Sequence, residues 1–266
     1  MNDIIQTTKN KTYKYIKALL HKKTRSAERL FTVEGIKSVS DAFASGKKIR
    51  MLVMSESCFR NGGRERFECN ETAVVRDDIF GGLCDTKTPQ GVIAVMEMFD
   101  PEDFCASADE LYIYCDHVSD PGNIGTIIRT ADAAGFGGVM LSAGCADLYS
   151  PKTVRASMGS LFHIPICTDM EAGELISLKE QGFRLYAGAL SEESVPYTSV
   201  DMSAPSVIIV GNEANGVCDE ILCASKHIIV PIYGGAESLN VGAAAAVLMY
   251  EAVRNSSRQL REGRYN

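Results

Sequence analysis

The chain has no tryptophan, few prolines and no long uncharged apolar run. A membrane-spanning helix needs about 20 consecutive apolar residues, so no span is expected. Met1 to Leu20 is polar and basic and lacks the apolar core of a secretory signal. The nine cysteines are scattered singly, without a Cys-x-x-Cys pair. That spacing suits neither a disulfide framework nor a zinc site and points to reduced thiols in a cytoplasmic compartment. Cys218 and Cys223 form at most half a metal site, so they read as buried apolar residues and no metal is expected. His21, His117, His163 and His227 are isolated. Gly122-Asn-Ile-Gly125 is not the Gly-x-Gly-x-x-Gly of dinucleotide enzymes. The Gly-x-Ser-x-Gly elbow of serine hydrolases is also missing.

What is present is a globular composition. The 266 residues are 45% hydrophobic, enough for a sizeable core in one large or two ordinary domains. Net charge is −7, which by itself disfavours a polyanionic partner. The charge is unevenly placed, however. Residues 1–50 hold 12 Lys and Arg against 4 Asp and Glu, whereas the rest of the chain is strongly acidic. A basic segment on an acidic protein suggests an element that touches a polyanion, or else a solvated helix face.

Residues 11–30 read as a helix with Tyr15, Leu19 and Leu20 on one face. Strands follow at 31–33, 51–54, 74–75 and 91–96, with a helix at 36–43 and a polar loop at 60–72. This predicts a small α/β domain over residues 1–98. Phe99 to Asp109, acidic and holding Pro101, reads as a linker. From residue 110 to 266 strands alternate with helices, which implies a parallel sheet covered on both faces. Ligands of such sheets sit in loops at the carboxyl ends of strands.

Three such loops stand out. The first, Asp116 to Gly125, leads into a helix predicted over 126–134, which places Arg129 one turn in, on the side of Gly125. A guanidinium there suits an anion, and Asn123 offers both a donor and an acceptor. The second is Val210-Gly-Asn-Glu-Ala-Asn-Gly216, with Glu213 expected at a helix N-terminus. The third, Gly234 to Asn240, follows Val230-Pro-Ile232 and precedes a helix of very small residues, 241–254. Small side chains let other backbone approach, and a helix N-terminus presents unpaired N–H groups. All three loops follow parallel strands and so can share one crevice.

Together these loops resemble the signature motifs of the SpoU (TrmH-like) RNA methyltransferases of the SPOUT superfamily. The matching residues are Asn123-Ile-Gly-Thr-Ile-Ile-Arg129 with Ala131 to Gly135, then Gly211-Asn-Glu213 with Gly216, then Val230-Pro231 with Ser238-Leu-Asn-Val241 and Tyr250-Glu251. The N-terminal part is similar to the family's substrate-binding domain, a small α/β fold like certain ribosomal proteins. That match rests on Lys22-Lys23-x-Arg25, Phe31-x-Val-Glu34-Gly35 and Thr88-Pro-Gln-Gly91. Gly242 departs from the family, where Ser is common, and should alter packing more than chemistry.

The resemblance implies a parallel-sheet SPOUT catalytic domain with a C-terminal trefoil knot, an exception to the rule against knots. It implies S-adenosylmethionine as methyl donor and a ribose 2′-hydroxyl of RNA as acceptor, ribosomal RNA ahead of transfer RNA. It also implies a homodimer. By the match, Gly211, Val230, Ile232, Leu239 and Asn240 hold the cofactor, largely through backbone groups. Asn123, Arg129, Glu213, Ser238 and Asn240 form the catalytic set, and Lys22, Lys23, Arg25 and Arg129 contact RNA. The competing readings are an RNA-binding protein of this fold that does not methylate, and a nicotinamide-dependent dehydrogenase.

Overall fold

A computed structural model describes residues 4–100 and 104–256. It separates into two compact units: Met1–Asp100 with Asp147–His163, and Pro101–Ala146 with Ile164–Asn266.

The first unit is built on a four-stranded sheet. Its strands are β1 (Leu30–Glu34), β2 (Ile49–Ser55), β3 (Thr72–Val75) and β4 (Val92–Glu97), in the order β1-β4-β2-β3. β4 runs antiparallel to both neighbours, and β2 and β3 are parallel. The helix expected over 11–30 is two helices, Lys11–Ala18 and Lys22–Glu28. Asn10 caps the first by accepting from the amides of Thr12 and Tyr13. The break at Leu19 to His21 has a physical cause. The Arg25 guanidinium turns back and donates to the carbonyls of Leu19 and Leu20 at 2.9 and 2.8 Å, satisfying groups that a continuous helix would have used internally. The expected loop over 60–72 begins with short helical turns at Phe59–Gly63 and Arg64–Arg66.

Residues 147–163, inside the expected domain over 110–266, pack with this first unit. Two ion pairs and an aromatic cluster hold them. Asp147 pairs with Arg25, and Arg155 with Asp85. Tyr149 packs on Phe31 and Phe99, and Phe162 on Phe99. Of the expected linker, 101–103 lie outside the described residues. Phe104 is already anchored in the second unit, edge-on to the Tyr112 ring.

The second unit has seven strands: β5 (Leu111–Cys115), β6 (Gly138–Leu141), β7 (Ile166–Cys167), β8 (Arg184–Gly188), β9 (Val195–Pro196), β10 (Ser206–Val210) and β11 (Lys226–Ile229). Their order is β7-β6-β5-β10-β8-β11-β9, and every pairing is parallel. β5 and β10 are buried along their whole length, as the centre of a two-faced parallel sheet requires. One face carries helices Ala172–Ser177 and Asp219–Ala224 over Tyr112, Tyr114, Val207 and Ile209. Helices Pro121–Ala134 and Val241–Asn255 pack on each other and on β5 and β10.

Register brings the three loops to one edge. Cys115 lies opposite Val210, and the Asp116 amide donates to the Val210 carbonyl at 2.8 Å. Ile209 lies opposite Ala187, and Ile228 opposite Gly188, so β5, β10 and β11 end at similar heights.

Candidate functional site

Each loop is ordered by its own polar residues. After β5, Asp116 is 2% exposed, and its carboxylate accepts from the Cys218 amide at 2.8 Å. Asp120 caps the next helix by accepting from the Asn123 amide, with Pro121 at the first helical position. After β10, Asn212 and Gly216 exchange both backbone hydrogen bonds at 2.9 Å. The Asn212 side chain accepts from the amides of Ala214 and Asn215 and donates to the His117 carbonyl at 2.8 Å. Gly211 is obligatory: a Cβ there would lie 2.1 Å from the Gly216 carbonyl carbon, a contact only backbone movement could relieve. After β11, Asn240 caps Val241–Asn255 by accepting from the amides of Gly242 and Ala243. Two of the helix N–H groups that sequence offered to a ligand are therefore already used.

The loops meet through side chains. Asn123 Nδ2 donates to Glu213 Oε1 at 2.8 Å, and Asn240 Nδ2 donates to Asn123 Oδ1 at 3.0 Å. The Ser119 amide and hydroxyl both donate to Glu213 Oε2, at 3.3 and 3.0 Å. Glu213 thus accepts three hydrogen bonds and sits between residues 119 and 123 in space. Partial burial raises its carboxyl pKa, but hydrogen bonds led by that of Asn123 outweigh this and hold it below the ordinary carboxylate value. The helix expected at Glu213 begins at Asp219 instead. Gly216, at φ +71°, closes a turn that the chain must complete first.

Beside this chain of hydrogen bonds lies a cavity of about 440 Å³, at the carboxyl ends of β8, β10 and β11. Gly211, Val230, Ile232, Leu239 and Asn240, the five residues expected to hold a cofactor, all line it. Glu213 and Ser238 line it too. The volume is that of a small-molecule site. The walls suit S-adenosylmethionine: Leu190, Ile232 and Leu239 supply exposed apolar surface for a flat base. The backbone amides of Ile232 and Leu239 make no hydrogen bond among the described residues and are available to a polar ligand. No cluster of His, Cys, Asp or Glu suited to a metal occurs among the described residues.

Three expectations need correction. Arg129 does not line the cavity. The helix begins at Pro121, five residues earlier than expected, so Arg129 lies two turns in, exposed and away from the positive end of the dipole. Six residues from Asn123 correspond to about 9 Å of rise and about 240° of rotation, which turns Arg129 from the Asn123 face. Arg25 is 3% exposed and committed to Asp147 and two carbonyls, so it offers nothing to RNA. Lys22 and Lys23 are exposed at the start of their helix. Cys223 is exposed rather than buried. Sequence reading missed Ser119 and Asn212. The Asn212 turn had a local signal in Asn-x-Ala-Asn-Gly; the Ser119 bond to Glu213 had none.

Comparison with known proteins places this arrangement. Residues 110–250 match the model of the SpoU rRNA methylase family, and residues 10–94 match an MRM3-like substrate binding domain. The 23S rRNA (guanosine(2553)-2′-O)-methyltransferase RlmP of Bacillus subtilis is 38% identical over 92% of this chain and 97% of its own. The 23S rRNA (uridine(2479)-2′-O)-methyltransferase of Streptomyces viridochromogenes is 32% identical over 93% and 91%. An AdoMet-bound rRNA methyltransferase from Sinorhizobium meliloti superposes with a TM-score of 0.83 at 33% identity, over 95% of this chain and 97% of its own. With its family model spanning the second unit's sheet and all three converging loops, the chain belongs to the SpoU rRNA methylase family.

Proposed function

We propose that this protein transfers a methyl group from S-adenosylmethionine to a ribose 2′-hydroxyl of ribosomal RNA. The observation that carries the reading is the hydrogen-bonded series Glu213–Asn123–Asn240 at the mouth of the cavity. Bound in that cavity, S-adenosylmethionine supplies a methyl already activated on a sulfonium. The protein's main task is then alignment, which can contribute up to roughly 7–11 kcal/mol in well-oriented systems. Glu213 fixes the Asn123 amide by accepting its N–H, and Asn240 fixes it from the other side. The rigid amide and the Ser238 hydroxyl position the ribose.

Arg129 is not the base, because a guanidinium stays protonated in proteins. It binds the neighbouring phosphate and stabilises the developing alkoxide, while the proton leaves through phosphate or water. Since Arg129 does not line its own cavity, it serves the cavity of a second copy, which makes the active form a homodimer. Its exposed position and the 54% exposed Tyr250 support this. Family membership supports a trefoil knot in the second unit. The absence of a long apolar helix among the described residues is compatible with a cytoplasmic enzyme. Residues 1–98 hold the RNA, with Lys22 and Lys23 on phosphates.

Calorimetry with S-adenosylmethionine, followed by mapping of 2′-O-methyl positions in rRNA from cells with and without the protein, tests the activity. No heat at saturating donor, or identical maps, refutes it. Mixing Arg129→Ala with Glu213→Gln tests the dimer. Each alone should be nearly inactive, and the mixture should regain up to about a quarter of wild-type turnover by random pairing. A mixture as inactive as its parts would place Arg129 in its own chain's site.

A further inference from the structure

The first unit holds a cavity of about 590 Å³ that the methyl-transfer reading leaves unused. It forms where the chain leaves β2, passes the turn at Asn61 to Gly63, and enters β4. Two glycines let these segments approach. A Cβ on Gly63 would lie 2.6 Å from the Cys58 carbonyl oxygen. A Cβ on Gly91, at φ +81°, would lie 2.7 Å from Ser55 Oγ and 2.9 Å from Cys58 Cβ.

The walls mix apolar side chains with polar groups, several of which are held by hydrogen bonds. Phe67 and Phe80 are buried, and Ile36 and Pro89 complete the hydrophobic lining. Asp77 Oδ1 accepts from the Ser57 amide at 3.1 Å and its hydroxyl at 2.9 Å. Those bonds hold the Asp77 carboxyl below its ordinary value, so it is ionised at neutral pH. A carboxylate has about four acceptor sites, which leaves room for two more donors. Gln90 Oε1 accepts from the Ile36 amide at 2.8 Å, which fixes the amide plane. The Gln90 NH₂ has no partner among the described residues and remains a donor. Arg66 is exposed, with its guanidinium 5.4 Å over the Phe67 ring.

We propose that this cavity receives an unpaired guanine of the RNA substrate. The assignment rests on the reading of the chain as an RNA enzyme and adds a recognition element to it. Unpaired bases in loops and bulges are what proteins read in RNA, by stacking and by hydrogen bonds to their edges. Asp77 Oδ1 is filled by its two bonds from Ser57, so guanine's adjacent N1–H and N2–H donors share Oδ2, and its O6 matches the Gln90 NH₂. The ring lies against the half-buried Ile36 and Pro89, with the buried Phe67 and Phe80 behind them, and the attached phosphate pairs with Arg66. Uracil presents a single N–H flanked by two carbonyls, which would face the carboxylate unfavourably.

The test uses the ¹⁵N-labelled full-length protein titrated with GMP and with UMP. GMP should shift the amides of Ser57, Gly63 and Gly91, and UMP should do so at least tenfold more weakly. Asp77→Asn and Gln90→Glu each keep an oxygen for Ser57 or Ile36, so both preserve the local fold while reversing the recognition. Each should weaken GMP binding at least tenfold. Each should also raise KM for rRNA while leaving kcat and the dissociation constant for S-adenosylmethionine unchanged. Equal binding of UMP, no GMP shifts at these amides, or wild-type GMP affinity in both variants overturns the proposal. Failure of the wild-type protein to bind S-adenosylmethionine overturns the enzyme reading instead, and the two failures are read from separate titrations.

Discussion

Arg25 and Asp147 form an ion pair at 2.5 Å across 122 residues of sequence, with the side chains 3% and 16% exposed. The same guanidinium satisfies the carbonyls of Leu19 and Leu20. One residue thus ends the first helix and fastens the segment 147–163 to the β1–β4 unit. Its Nε is buried without a partner among the described residues, so the arrangement is not an optimal one and depends on the bonds it does make.

Arg25→Ala should therefore cost about 3–5 kcal/mol, the usual penalty for removing one partner of a buried pair. Denaturant unfolding would measure it. Arg25→Met with Asp147→Leu should recover only part of the loss, because no charge is left unpaired but the Leu19 and Leu20 carbonyls still lose their donor. By contrast, Lys22→Ala and Lys23→Ala are exposed and should leave stability within about 0.5 kcal/mol. They should weaken RNA binding, each lowering the slope of log K against log salt by about 0.7–0.9. A salt slope unchanged in both lysine variants would remove them from the RNA surface.

Glu213 carries a pH signature whose sign follows from its hydrogen bonds. Its folded pKa is depressed, so it contributes stability above the unfolded value, about 4.3, and loses it as pH falls through the lower folded value. The difference in melting temperature between wild type and Glu213→Gln should be steady from pH 8 to 5 and shrink below that. Turnover should show no titration from this group between pH 5 and 8. A difference that grew on acidification would contradict the hydrogen bonding seen here. Glu213→Gln should also lower kcat without altering the affinity for S-adenosylmethionine.

Asn240 has two separable tasks. Asn240→Ala removes a helix cap and the bond to Asn123, and should cost about 0.5–2 kcal/mol. Asn240→Asp keeps the oxygen that caps Gly242 and Ala243 but turns an acceptor toward Asn123 Oδ1. It should retain stability and lose most activity. If the Asp variant were as active as wild type, the Asn123 contact would have no part in positioning the ribose.

Thiol reactivity should follow burial. Cys105 and Cys223 are exposed and should be alkylated first under native conditions. Cys115 is fully buried, and burial pushes its thiol well above the ordinary value. Burial, with Glu34 beside it, pushes Cys84 up to about 12. Neither should react until the protein unfolds, which mass spectrometry of timed alkylation would read.

Much of the second unit was legible because its signals are local. Leu111 to Cys115 and Ser206 to Val210 are continuous apolar runs, and the structure has strands with those bounds. The helix before Gly135 started earlier than expected because Asp120 and Pro121 form a capped first turn, a signal the reading of Thr126 as the start passed over. The segment 11–30 misled because its basic residues suit one exposed helix. Only the distant Asp147 makes Arg25 a buried residue instead.

Sequence alone determined the alternation of strands and helices, the three loops at strand ends, and Asn123, Glu213 and Asn240 as residues to watch. The alternation and the loops follow from periodicity and turn chemistry, which act over a few neighbours; the three residues follow from the resemblance to the family's motifs. Tertiary structure alone decided that Arg25 is buried, that Arg129 is absent from the lining of its own cavity, and that residues 147–163 pack with the first unit. An arginine suits a phosphate and a buried carboxylate equally well as a residue type. Which one it meets depends on what the folded chain removes from water around it, and no window of sequence contains that partner.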